Sequence, residues 1–170
     1  MNPYHLLVSE KSQGYIPLIR DVGRNLYGII VVKRDSEIKS VQDLNGKKIA
    51  FPSPNALGAS LLIRANLKNK FNIDFKPVYV KTHSSVYLNV LVKQVDAGGG
   101  VQKTLNQQKD NIKGALRILH QTPKVNPHPL AAHPRVSIEV REKIKKSLLQ
   151  LGQNAIGQAL LSKIPMKKIG

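Results

Sequence analysis

The sequence contains no cysteine and no tryptophan. The lack of cysteine excludes disulfide bonds, thiol catalysis and thiolate metal ligands. Aromatic residues make up only 5% of the chain, which is too few for an obvious platform on which nucleic-acid bases could stack. No apolar run approaches the roughly 18 residues of a membrane span. The first five residues are polar and turn-like, so no signal peptide is visible.

Acidic residues are also scarce, with 10 Asp and Glu against 27 Lys and Arg, which gives a net charge of +17. Such a charge suits nucleic acid, an anionic surface or small anions. The basic residues are spread along the chain without a run of five or more, so a solvated basic exterior is favoured over specific nucleic-acid binding. We therefore expect no nucleic-acid partner.

Sequence patterns of common catalytic sites are missing. The chain has no P-loop, residues 98–100 lack the Gly-x-Gly-x-x-Gly spacing, and no Gly-x-Ser-x-Gly elbow is present. The five histidines show no spacing typical of metal ligands. We therefore predict a protein that is not an enzyme and that has no metal and no cofactor.

Apolar, β-branched runs alternate with amphipathic segments along the chain. Alternation of strand and helix is typical of α/β units with a mostly parallel sheet. The predicted strands are 27–32, 49–51, 76–81, 94–101 and 115–121. We predict helices near 58–69, after residue 84, near 102–108, and after Ser137.

Small or hydroxyl-bearing residues occur at three strand ends, in segments 52–60, 82–85 and 97–100. The carboxyl ends of strands in open α/β sheets converge on the ligand crevice, and helix N-terminal amides attract anions. We therefore predict an oxyanion cradle from Asn55, Ser60, His83, Ser84, Ser85 and Tyr87. An ordinary strand-to-helix connection without a ligand is the alternative for the first turn.

Two further roles follow for residues of this cradle. Ser84 or Ser85 is expected to cap the helix that follows. Asp96, beside the glycine-rich strand, would either favour a ligand that keeps a proton, by accepting a hydrogen bond from it, or hold His83 in place, although a capping role is an equally simple interpretation.

The order and spacing of several segments resemble the phosphate/phosphite/phosphonate substrate-binding proteins of ABC transporters. The segments that carry the resemblance are 27–32, 43–51, 54–60, 82–87, 93–100 and 128–136. The resemblance implies a type II periplasmic binding protein fold, in which a ligand is held between two α/β lobes. It assigns residues 1–33 to a remnant of the first lobe and a crossing strand, and residues 34–127 to a complete three-layer second lobe. Residues 128–170 would form the return crossing and the C-terminal helices of the first lobe, and the resemblance implies that the N-terminal part of that lobe is missing.

The resemblance also implies a function and a binding site. The function would be capture of phosphate, phosphite or phosphonate in the periplasm for a membrane permease. A sensing module of a signalling protein and a basic polyanion-binding domain remain alternatives. The implied ligand-binding residues are Tyr4, Asn55, Ala56, Leu57, Gly58, Ser60, His83, Ser84, Ser85 and Asp96. Phosphonate binders carry Ser-x-Ser-Gly where this chain has residues 56–59, Ala-Leu-Gly-Ala, which favours another oxyanion.

Overall fold

The computed structural model describes residues 2–164, 166 and 168–170. In chain order the elements are α1 (Pro3–Gln13), β1 (Ile16–Arg20), β2 (Ile29–Lys33), a 3₁₀ turn (Gln42–Leu44), β3 (Lys48–Phe51), a π-helical turn (Leu57–Leu61), α2 (Leu62–Phe71), β4 (Lys76–Tyr79), α3 (His83–Leu91), β5 (Ala97–Gly100), α4 (Gln102–Asn106), α5 (Asp110–Ala115), β6 (Leu116–Gln121), β7 (Pro129–Ala132), α6 (Ile138–Leu151) and α7 (Ala155–Ser162). They belong to two compact units. Unit 1 comprises Met1–Leu26 and Lys124–Gly170, and unit 2 comprises Tyr27–Pro123.

Unit 2 is built on a five-stranded sheet in the order β4-β3-β5-β2-β6. β3 pairs in parallel with β4 and β5, whereas β2 is antiparallel to both β5 and β6. Four strands therefore run in one direction and β2 runs in the other. The predicted α/β class with a mostly parallel sheet is confirmed, and the direction of β2 is the exception.

The sheet of unit 2 is covered on both faces. Ile30 and Val32 of β2 contribute to a core with Ile63 and Leu67 of α2. The alternate residues of β2 contribute to a second core, which includes Val86 of α3. A strand that is buried on both faces needs apolar side chains at every position, which explains the continuous Ile-Ile-Val-Val run.

β5 has glycine at residues 98–100, where neighbouring groups lie against the backbone. A Cβ at Gly98 would lie 2.6 Å from Val86 Cγ1 on α3. A Cβ at Gly99 would overlap the carbonyl oxygen of Ala59, and one at Gly100 would overlap the hydroxyl of Tyr87. The glycines thus let elements on both faces approach the backbone of β5.

The two ends of unit 2 are hydrogen-bonded to each other. The Gly28 N–H donates to Thr122 Oγ1 at 2.9 Å, and the Thr122 N–H donates to the Gly28 carbonyl at 3.0 Å. The observed unit boundaries differ from the predicted boundaries at 33/34 and 127/128 because β2 pairs on both sides with strands of unit 2. Residues 124–127 correspondingly belong to unit 1.

Unit 1 contains an antiparallel pair of strands, β1 and β7, with α1, α6 and α7. The Asn2 side chain accepts from the His5 N–H to cap α1, and Ser137 caps α6 by accepting from the Val140 N–H, as predicted for Ser137. α6 has no fully buried residue. Among the described residues, no helix combines the length and apolar character that crossing a membrane would require.

Candidate anion-binding site at the carboxyl edge of unit 2

A short connection leads from each of three neighbouring strands of unit 2 into a helical segment. The π-helical turn follows β3 and continues into α2, α3 follows β4, and α4 follows β5. Because β3 is parallel to β4 and β5, all three helix starts lie at the same edge of the sheet. The positive ends of several helix dipoles therefore meet at this edge, which we call the carboxyl edge.

The turn after β3 contains five of the predicted site residues. Asn55 is exposed, and Ala56 and Leu57 are partly exposed. The carbonyl of Ala56 accepts from the N–H groups of Ser60 and Leu61 at 2.9 and 3.0 Å. The first N–H groups of a helix have no intrahelical acceptor, so those of residues 57–59 are candidate donors to an anion. Single π-turns of this kind occur frequently at functional sites.

Gly58 and Ser60 have a different environment from the one predicted. Both are buried, and a Cβ on Gly28 would overlap the carbonyl oxygen of Gly58. Ser60 Oγ is buried without a hydrogen-bond partner among the described residues. Its hydroxyl is therefore enclosed by protein and is not a surface donor, because the π-turn directs residues 58–60 towards the sheet.

The turn after β4 is capped by Thr82. Its Oγ1 accepts from the Ser85 N–H at 3.0 Å and lies 2.8 Å from Ser85 Oγ. The prediction that Ser84 or Ser85 caps this helix was wrong by two or three residues, because α3 already begins at His83. Ser84 is exposed on the first turn of α3, and its role in ligand binding stays a prediction.

His83 is half-buried and contacts a residue that sequence reasoning missed. Its Nδ1 lies 3.3 Å from Oγ1 of Thr104 on α4. Burial lowers the pKa of His83 and so favours the neutral ring. The signal for Thr104 was its place just after the glycine-rich strand, at the third strand end of this edge.

Asp96 lies at the opposite edge of the sheet, which corrects its predicted place beside His83. Its carboxylate accepts from the Lys48 N–H at 2.8 Å, and its own N–H donates to the Lys48 carbonyl. Lys48 begins β3 and Asp96 directly precedes β5, so β5 separates Asp96 from the carboxyl edge by roughly 13 Å at about 3.3 Å per residue. Asp96 instead borders a cavity of about 370 Å³ whose other charged residues are Lys47, Lys48, Lys76 and Lys93.

The whole chain matches one known protein family. A model of the family described as "ABC transporter, phosphonate, periplasmic substrate-binding protein" matches residues 1–170. The chain belongs to this family. The family is one of transport proteins and not of enzymes. No curated protein gives a significant match to this member of the phosphonate-binding family.

Solved structures support the fold of this phosphonate-family protein. XAC2383 from Xanthomonas citri, bound to chloride, has a TM-score of 0.84 at 17% sequence identity. The matched region covers 97% of this chain and 66% of the XAC2383 chain. PhnD1 from Prochlorococcus marinus, in complex with methylphosphonate, has a TM-score of 0.73 at 18% identity, with coverages of 98% and 68%. The family member described here thus spans about two thirds of the length of these proteins. The predicted type II periplasmic binding protein fold is confirmed by these similarities.

Tyr4, the remaining predicted ligand residue of this family member, lies on α1 of unit 1. Its side chain is 46% exposed and its ring centroid is 5.7 Å from that of His5. Its role at the mouth of a ligand cleft stays a prediction. Within the described residues, no group of three or more His, Asp or Glu side chains could hold a metal ion.

Proposed function

We propose that this chain is the solute-binding component of an ABC transporter and captures a small phosphorus oxyanion, namely phosphate, phosphite or phosphonate. Membership of the phosphonate-binding family supports the transport role. The observation that carries the choice of an oxyanion is the meeting of helix starts at the carboxyl edge of unit 2. Their unbonded N–H groups and positive dipole ends suit a compact anion.

The side chains at this edge add to the same chemistry. His83 and Ser84 supply a ring nitrogen and a hydroxyl at the start of α3, and Asn55 supplies an exposed amide. The Ser84 hydroxyl and the Asn55 amide are uncharged donors, which can bind an anion without the large desolvation cost of a buried cation. The complexes of XAC2383 with chloride and with ATP, and of PhnD1 with methylphosphonate, show anions bound by proteins of this fold.

The partner and the compartment follow from the same proposal. The ligand-loaded protein would deliver its cargo to an ABC-transporter permease in the membrane, and it would do so in the periplasm, as family members do. Other proteins of this fold bind sulfonate or arginine. A sulfur oxyanion is therefore the most informative competitor ligand.

The proposal can be tested by deleting a single backbone N–H. Leu57 is the first residue of the π-turn, and Ala56 before it is extended and not helical, with φ −68° and ψ 108°. Proline disfavours a helical conformation in the residue before it, so Ala56 already avoids that clash. Leu57→Pro should therefore preserve the turn while removing one candidate donor. Leu57→Ala is the matched control, because it removes the same side chain and keeps the N–H group.

Isothermal titration of wild type with phosphate, phosphite, methylphosphonate and sulfate should identify at least one phosphorus oxyanion as a saturable ligand. Leu57→Pro should then bind it about 10- to 100-fold more weakly than Leu57→Ala, since a hydrogen bond to a charged group contributes about 1.5–3 kcal/mol. Equal affinities of the two variants would remove this turn from the site. No binding of any of the four anions by wild type would contradict the proposed function.

The lysine-lined cavity at the other edge of unit 2 favours one second candidate, which is binding of a polyanion. Lys47 and Lys93 border both this cavity and an adjoining one of about 360 Å³. Binding there would depend steeply on salt and on polyanion length, whereas a compact site at the carboxyl edge would tolerate salt. Titration with oligonucleotides at low and physiological salt separates the two candidates.

A further inference from the structure

The hydroxyl of Thr104 is the centre of a small hydrogen-bond network that the proposed function leaves unexplained. Thr104 Oγ1 lies 2.9 Å from the Val101 carbonyl oxygen, 2.7 Å from the Tyr87 hydroxyl and 3.3 Å from His83 Nδ1. α4 carries Thr104, and α3 carries both Tyr87 and His83. The network therefore links two helices that begin at the carboxyl edge.

Counting hydrogens determines which atoms donate in this network. A carbonyl oxygen can only accept, and that of Val101 lies 2.9 Å from Thr104 Oγ1 and 3.4 Å from the Tyr87 hydroxyl. If Thr104 donates to Val101, the Tyr87 hydroxyl donates to Thr104 Oγ1 at 2.7 Å, and if Tyr87 donates to Val101, Thr104 donates to Tyr87. In both arrangements the single hydroxyl hydrogen of Thr104 is used, and His83 must donate to Thr104 Oγ1. The His83 hydrogen consequently lies on Nδ1, and in the neutral ring Nε2 is an acceptor.

The surroundings favour the same arrangement. The absence of a side chain at Gly100 gives the Tyr87 hydroxyl the space it occupies, since a Cβ there would overlap it. Burial lowers the pKa of His83 and so favours the neutral form of the ring. Asp96 cannot be the acceptor for His83 that the sequence suggested, because its carboxylate accepts from the Lys48 N–H at the edge of the sheet opposite the carboxyl edge, which we call the amino edge.

We propose that Thr104 and Tyr87 are positioning residues that hold His83 as its Nδ1–H tautomer, so that His83 Nε2 accepts a hydrogen bond from a protonated oxygen of the ligand. This inference rests on the proposed oxyanion site. It assigns the ligand to the class of oxyanions that keep a P–OH group near neutral pH. Sulfate and sulfonates have no such hydrogen, and their oxygens would face the lone pair of Nε2. The site therefore discriminates against them.

The first measurement concerns the tautomer and needs no ligand. Nitrogen-15 NMR of the imidazole rings, assigned with a His83→Gln variant, should show the Nδ1–H form of His83 in the wild-type protein. Thr104→Val removes the hydroxyl at nearly constant volume and should shift His83 towards the Nε2–H form. Thr104→Ser keeps a hydroxyl and should restore the Nδ1–H form. An Nε2–H tautomer in wild type would overturn the proposal.

The second measurement compares inorganic phosphate with sulfate, which has the same shape. Wild type should prefer phosphate by at least about tenfold near neutral pH, as expected for a hydrogen bond between a ring nitrogen and a charged ligand. Thr104→Val should reduce this ratio by about tenfold, and Thr104→Ser should restore it. Thermal unfolding of both variants verifies that they are folded.

The outcomes separate this inference from the proposed function. Wild type that binds phosphate and sulfate equally, or a Thr104→Val variant with the wild-type ratio, overturns the inference while the oxyanion site remains. Wild type that binds no oxyanion rejects the proposed function, and the ligand step of this inference with it.

Discussion

Gly99 offers the sharpest link between the packing of unit 2 and its candidate site. It lies on β5, where a Cβ would be 2.5 Å from Phe51 Cδ1 and would overlap the carbonyl oxygen of Ala59 in the π-turn. Ordinary van der Waals contacts of a Cβ are 3.4–4 Å. Gly99→Ala therefore requires a displacement of about 1 Å in the ring, in the turn or in both. The backbone of the turn, unlike the end of a flexible side chain, cannot yield cheaply.

Overpacking of this kind costs about 1–3 kcal/mol in the free energy of unfolding. For a chain of this size, 1 kcal/mol corresponds to about 2–4 °C in Tm, so the expected decrease is about 2–12 °C. Displacement of the turn also moves the N–H groups of residues 57–59. The affinity of Gly99→Ala for the oxyanion should therefore fall as well, even at temperatures where the variant is fully folded.

Urea unfolding, monitored by circular dichroism, measures the change in the free energy of unfolding. Gly114→Ala is the matched control. Gly114 lies in α5, and a Cβ added there would have no neighbouring atom within 4 Å. The control should gain up to about 1 kcal/mol from helix propensity. If Gly99→Ala loses less than about 0.5 kcal/mol and binds as wild type does, the close approach of the turn to β5 is refuted.

Three further predictions concern buried polar groups. Thr122→Val leaves the buried Gly28 N–H without its acceptor and should cost about 1–3 kcal/mol in denaturant unfolding; an unchanged midpoint would show that another acceptor replaces it. Ser60→Ala removes a buried hydroxyl without a partner in the described structure, so unfolding should show unchanged or higher stability, by up to about 1 kcal/mol. A decrease in the free energy of unfolding would instead show that the Ser60 hydroxyl has a hydrogen-bond partner. Burial lowers the pKa of His83 and His120 below their usual 6.5, so the unfolded chain binds protons more readily than the folded one. The contribution of these two histidines to the free energy of unfolding should therefore be fully present above pH 6.5 and should be lost as the pH falls from 6.5 through the pKa values of the folded state. Denaturant unfolding over this pH range should show a smaller decrease for His120→Asn than for wild type.

The alternation of strands and helices could be predicted because it depends on local patterns. The Ile-Ile-Val-Val run of β2 and the Ser137 cap of α6 needed only neighbouring residues to be recognised. The antiparallel direction of β2 could not be predicted in this way, because its partners β5 and β6 lie far along the chain.

The helix starts that follow β3, β4 and β5 could be predicted from the sequence, but the position of Asp96 and the contact of Thr104 with His83 could not. Asp96 was assigned to the ligand edge from its place beside the glycine-rich strand and from the family resemblance, whereas β5 begins only at Ala97. An acid that precedes a strand lies at the amino end of that strand, so Asp96 and the helix starts lie at opposite ends of β5. Thr104 was missed although it follows the glycine-rich strand, because its contact with His83 requires α3 and α4 to lie side by side, and the sequence spacing does not show which helices are neighbours.

The paired ends of unit 2 have a consequence for protein engineering. Gly28 and Thr122 are joined by two hydrogen bonds, so the segment Tyr27–Pro123 starts and finishes at one point in space. A segment with adjacent ends can be excised, circularly permuted or grafted into a surface loop of another protein without a long bridging peptide. Unit 2 can therefore be inserted into another protein as one continuous segment, and this segment includes the carboxyl edge.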